Sequence, residues 1–130
     1  MARQLLILFL ILILSSEPVY AEWVLVSANN PGETMYVDPG TIRRTGDMVT
    51  MWALYDFRTI QSVWSISFMS RESQREYDCI GERTRRITLT YFSGAMGSGT
   101  VVYSDADEQK WEPIQPQSVA HVLWKIACSK

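Results

Sequence analysis

The chain has 130 residues, 47% of them apolar and 20% charged, a composition that fits one folded domain and excludes a disordered tail or a two-lobed enzyme. Twelve Lys and Arg stand against fourteen Asp and Glu, so the basic excess of a nucleic-acid binder is missing. One His and two Cys are too few for a zinc cage.

Residues 1–21 read as a secretory signal peptide. Arg3 gives the positive start, Leu5 to Leu14 is an unbroken apolar run, and Val19 and Ala21 are the small residues before a cut between Ala21 and Glu22. As a helix that run rises about 15 Å, roughly half of a bilayer's hydrocarbon core. A membrane anchor is therefore disfavoured, and no other run is long enough to span. No Cys lies near the cut to take a lipid, so a periplasmic or secreted location is expected for the domain 22–130.

Strand signals follow in order. Trp23 to Ser27 is short and β-prone, 29–33 is a turn, and Thr34 to Asp38 is a second strand that Pro39-Gly40 should stop. After a turn at Thr45-Gly46-Asp47, Met48 to Phe57 is apolar on both alternating sets, as in a central strand. Val63 to Ser70 alternates, with Trp64, Ile66 and Phe68 expected on a core face. An irregular RESQR stretch comes next, then Glu76 to Ile80 with Cys79. Arg83 to Phe92 places Ile87, Leu89 and Tyr91 on one face and Arg86, Thr88 and Thr90 on the other. The loop 94–99, the strand 100–104 and a polar turn complete an antiparallel meander. Pro113 and Pro116 then end strand structure. Ser118 caps a helix with Val119, Val122, Leu123, Ile126 and Ala127 on its apolar side and His121 and Lys125 on the wet side. The architecture is α+β, an antiparallel sheet with one C-terminal helix packed on a face. The helix takes one face for the core, which leaves the other face or an edge for function.

In an exported chain Cys79 and Cys128 form one disulfide, closing a ring worth about 4 kcal/mol in the chain-entropy model. The rival reading, a reactive thiol or metal ligand, has no CxxC spacing behind it. No catalytic set is visible. His121 has no acidic partner at helical spacing, GxSxG is absent, and GAMGSG lacks the Lys of a phosphate loop. Asp105-Ala106-Asp107-Glu108 lacks the Gly and distant Glu of a calcium loop. The chain is read as a non-enzyme with no metal and no cofactor. Arginine is the conspicuous cation. Arg71, Arg75, Arg83 and Arg85 are the candidate binding residues, suited to bidentate contact with a sulfated or carboxylated polymer. Internal pairing with Glu72, Glu76, Asp78 and Glu82 is the favoured alternative. The many aromatics belong mostly to the core, with any excess suited to a protein-binding patch.

Taken together, YVDP (36–39), IRR (42–44), WALYDF (52–57), EYDC (76–79), the YFS-x-x-MG-x-G run (91–99) and the tail from Pro113 to Cys128 resemble the surface-adhesin protein E family of exported Gram-negative proteins. The resemblance implies a sheet of about six antiparallel strands with a C-terminal helix tied to it through Cys79 and Cys128. For the characterised type it also implies adhesion to host matrix and serum proteins. The function expected is a non-enzymatic envelope protein that binds a protein or anionic polymer through its sheet. The alternative is a periplasmic carrier of a small apolar or anionic ligand.

Overall fold

The computed structural model describes residues 22–28 and 31–130. The expected signal peptide and its cut after Ala21 lie outside the described residues. The strands are β1 (Val24–Ser27), β2 (Glu33–Thr45), β3 (Met48–Val63), β4 (Ile66–Asp78), β5 (Arg83–Phe92), β6 (Val101–Asp105) and the short β7 (Glu112–Pro113), followed by α1 (Val119–Cys128). β1 to β6 form an antiparallel meander in sequence order, and β7 pairs with β5.

Two hairpins are tight. Thr45 pairs with Met48 around Gly46 and Asp47, where Gly46 has φ +61°. Val63 pairs with Ile66 around Trp64 and Ser65, which have φ +50° and +68°. Positive φ at the first central residue of one turn, Gly46, and at both central residues of the other, Trp64 and Ser65, matches the right-handed twist of the flanking strands. Trp64 is thus a turn residue with 79% of its surface exposed, not the core residue that alternation suggested.

Pro39-Gly40 does not stop β2. The register jumps from Asp38 opposite Trp52 to Arg43 opposite Thr50, so residues 39–42 bulge out opposite one partner residue. A proline inside a bulge forfeits no ladder bond. Side chains replace the lost pairing: Trp52 N–H donates to Thr41 Oγ1 at 3.0 Å, and Gly40 N–H donates to Asp38 Oδ1 at 3.0 Å. The RESQR stretch is also regular. Residues 71–75 run through the middle of β4.

The core beneath α1 gathers Met35, Val37, Val49, Met51, Ala53 and Tyr77 from the sheet with Ile114, Leu123 and Ala127. A second cluster, Phe68, Leu89 and Tyr91, lies farther along the sheet, with Phe57 edge-on to Phe68 and Tyr91 stacked on Phe68 at 4.2 Å. On the opposite face the GAMGSG loop folds down as a 3-10 turn. Gly97 N–H donates to Ser70 Oγ at 2.8 Å, and Met96 N–H donates to Asp56 Oδ1 at 2.8 Å. Gly97 has φ +72°, and a Cβ there would come within 2.7 Å of Glu72 Oε1, so both backbone and space favour glycine.

Ser118 caps α1 by accepting from His121 N–H at 3.1 Å. The packed side differs from the expected one. Ala120, Leu123, Trp124, Ile126 and Ala127 meet the core, while Val119 and Val122 are exposed. Trp124 sets this rotation, because its Nε1–H donates to the Asp78 carbonyl at 2.9 Å. His121, expected in water, is half-buried and stacks on Trp124 at 5.7 Å. The Cys79–Cys128 disulfide joins the end of α1 to the end of β4, with Cα atoms 5.7 Å apart. A ten-residue helix is marginal alone, and this staple with the Trp124 bond holds it on the sheet.

Candidate functional site

α1 rises about 15 Å, whereas the sixteen residues of β3 extend about 50 Å. The helix therefore covers only part of its face. Beside α1 lies a groove, and the strand registers decide what lines it.

In β3 and β4, Val49 pairs with Tyr77, Met51 with Arg75, Ala53 with Ser73 and Tyr55 with Arg71. Alternation puts all of them on the helix side. In β5 the register slips between Gln74–Thr88 and Arg75–Arg86, so Ile87 is an extra residue. That bulge turns Arg86 to the side of Leu89, contrary to the regular alternation expected for 83–92. Tyr55, Arg71, Ser73, Arg75, Arg86 and Leu89 line a depression of about 60 Å³. It shares Tyr55 and Arg75 with a hollow of about 240 Å³ between sheet and helix, walled also by Met35, Tyr77, Val119 and Leu123. A further recess of about 140 Å³ continues past Met35 to Ser27 and Glu33.

The depression is cationic. Arg71 lies over the Tyr55 ring at 4.4 Å and toward Phe57 at 5.8 Å. Arg75 Nε–H donates to Thr84 Oγ1 at 3.3 Å, and Thr84 in turn donates to the Glu76 carbonyl at 2.9 Å. Arg75 and Arg86 are directly opposite each other across the ladder, a like-charge pairing that destabilises a sheet. Among the described residues, Arg71, Arg75 and Arg86 form no ion pair. The Nε atoms of Arg71 and Arg86 and the hydroxyl of Tyr77 are buried with no hydrogen-bond partner. Burial raises the Tyr55 phenol above its ordinary value, opposed in part by Arg71 and Arg75, and burial raises Tyr77 as well.

Arg83 and Arg85 have another environment. Arg83 Nε bonds Asp78 Oδ2 at 2.9 Å, and Arg85 Nη2 bonds Glu76 Oε1 at 2.8 Å with Glu108 at 3.6 Å. Both guanidiniums rest on Trp111, at 4.4 and 4.5 Å. Asp78 also accepts from Gly81 N–H at 2.8 Å and Ile80 N–H at 3.1 Å. The Gly81 bond, then Arg83 and Ile80, hold its carboxyl below the usual range. The four candidate arginines thus divide. Arg71 and Arg75 line the groove, Arg83 and Arg85 are paired outside it, and Arg86 joins the first pair. Sequence periodicity missed Arg86 because a bulge leaves no mark in a period-two pattern.

The model of the family described as surface-adhesin protein E matches residues 23–129. The chain belongs to the surface-adhesin protein E family. Solved structures of Haemophilus influenzae protein E share its fold. One crystal form superposes with a TM-score of 0.65 at 14% identity, covering 86% of this chain and 91% of that one. The protein from non-typeable Haemophilus influenzae gives a TM-score of 0.59 at 12% identity, covering 85% and 86%. No curated protein matches the chain in sequence. The adhesin E fold accounts for the meander, the single C-terminal helix and the disulfide together. Among the described residues no helix is long and apolar enough to cross a membrane.

Proposed function

We propose that the chain is an exported, non-enzymatic binding module of the bacterial envelope, released from its leader between Ala21 and Glu22. It contacts a protein or anionic polymer, with a host matrix protein as one candidate, through the helix-bearing face of its sheet. Family membership supports a surface adhesin. The observation that carries the assignment of a face is the unpaired arginine set Arg71, Arg75 and Arg86 in the groove beside α1. Guanidiniums flanked by Tyr55 and Phe57 have the chemistry that recurs in protein-binding surfaces. Arg83 and Arg85 hold the opposite face through internal pairs, so their charge is already spent.

The test is retention of the purified chain on heparin and on immobilised matrix protein, before and after charge reversal. Arg71→Glu with Arg75→Glu should abolish retention, and Arg83→Glu with Arg85→Glu should leave it largely intact in the folded fraction. Equal retention by all variants would rule out the groove as the contact surface. The carrier reading is favoured by one feature, the hollow of about 240 Å³ between helix and sheet.

A further inference from the structure

We infer that the groove holds a carboxylate borne on a compact apolar body, with the carboxylate in the arginine depression and the body in the hollow beneath α1. The inference rests on the reading above for the choice of face, but it needs no macromolecular partner and is tested without one.

Three observations carry it. First, Arg71, Arg75 and Arg86 surround a space of about 60 Å³ without an ion pair among the described residues. An arginine cannot relieve such crowding by losing its proton, whereas an anion in the depression would relieve it. Second, two of the guanidinium Nε–H groups are buried without an acceptor. A buried unmade hydrogen bond is costly, and native proteins keep few of them outside functional positions. A carboxylate offers two oxygens with several lone pairs, which matches the fork of Nε–H and Nη–H on one or two guanidiniums. Third, the depression shares Tyr55 and Arg75 with an adjacent hollow walled by Met35, Val119 and Leu123. There Tyr77, fully buried, keeps a hydroxyl without a partner. A ligand with an apolar body and a second polar atom would satisfy that wall as well. The cross-strand pair Arg75–Arg86 argues in the same direction, since a sheet selected for stability alone would not place like charges opposite each other.

The same chemistry has two sources, a free small acid or an acidic side chain beside an apolar one on a partner protein. Titrations of the isolated domain with sodium benzoate and with the blocked dipeptide acetyl-Phe-Glu-amide separate them, at ionic strength held constant with chloride. The readout is the Nε–Hε correlations of the arginines by NMR. Saturable shifts are expected at Arg71 and Arg86 and not at Arg83 or Arg85. Tighter binding of benzoate assigns a free acid, and tighter binding of the dipeptide assigns a partner side chain. Arg86→Gln should weaken the better probe about tenfold, the usual worth of a charge-assisted hydrogen bond. Arg71→Lys, which keeps the charge and loses the fork, should weaken it severalfold without unfolding the chain. Arg83→Gln should leave it unchanged. Shifts that never saturate, or that spread evenly to Arg83 and Arg85, would overturn the inference. A failure here leaves retention on matrix protein untouched, and loss of that retention alone leaves these titrations standing.

Discussion

β4 and β5 carry two groups of arginines on opposite faces of one ladder. On the outer face the register sets Arg83 against Asp78 and Arg85 against Glu76, and Trp111 closes over both. On the helix side it sets Arg75 against Arg86, with Arg71 two same-face positions farther along β4, beyond Ser73, and no carboxylate paired to any of them among the described residues. Residue type and sequence neighbourhood are the same in both groups. The difference is whether a carboxylate lies in register. One group is closed by carboxylates, and the other keeps two Nε–H groups, of Arg71 and Arg86, without an acceptor among the described residues.

Substitutions at both faces test this difference. The largest effect should come from the staple that holds α1 beside the groove. Replacing Cys79 and Cys128 with Ser should cost about 4 kcal/mol of unfolding free energy in a urea titration, by the loop-closure argument. Next is the outer joint. Asp78→Asn should lower the melting temperature at neutral pH, because Arg83 and two backbone N–H groups lose a charged acceptor. Asp78 has a lowered carboxyl pKa when folded, so its contribution is present above the ordinary value of 3.8 and disappears as pH falls through the folded value. An acid titration of wild type should therefore lose stability in that range, and the Asn variant should lose less. On the helix side the sign reverses. Arg86→Glu places a carboxylate opposite Arg75 and should raise stability by about 0.5 kcal/mol while destroying anion binding. The smallest effect belongs to Tyr77→Phe. A buried tyrosine normally loses a hydrogen bond on this change, but this hydroxyl makes none, so unfolding free energy should stay within about 0.5 kcal/mol of wild type.

Much of the fold is legible in the sequence, for physical reasons that also mark where it stops being so. β5 begins and ends where period-two alternation places it, at Arg83 and Phe92, and Ser118 announces α1 by its hydroxyl. The cysteine pair follows from its number and an exported context. Each misreading has a local tertiary cause. Pro39-Gly40 looks like a stop because a bulge, and Thr41 reaching Trp52, cannot be seen in composition. Trp64 looks like core because alternation runs through a two-residue turn without a break. The helix is rotated because Trp124 finds the Asp78 carbonyl, a long-range bond. At the site, Arg71 and Arg75 are readable as candidates, whereas Arg86 is hidden by the extra residue Ile87.

Arg85 and Arg86, adjacent in the chain, should contribute to stability with opposite sign. Urea unfolding of Arg85→Gln and Arg86→Gln in the absence of ligand measures it directly. Arg85→Gln should lose about 1 kcal/mol, because Glu76 is left without its charged donor. Arg86→Gln should be as stable as wild type or more so, since it relieves Arg75 and removes a guanidinium whose Nε–H is buried without an acceptor. If Arg86→Gln instead loses as much stability as Arg85→Gln, the groove arginine is a structural residue and the contrast between the two faces collapses.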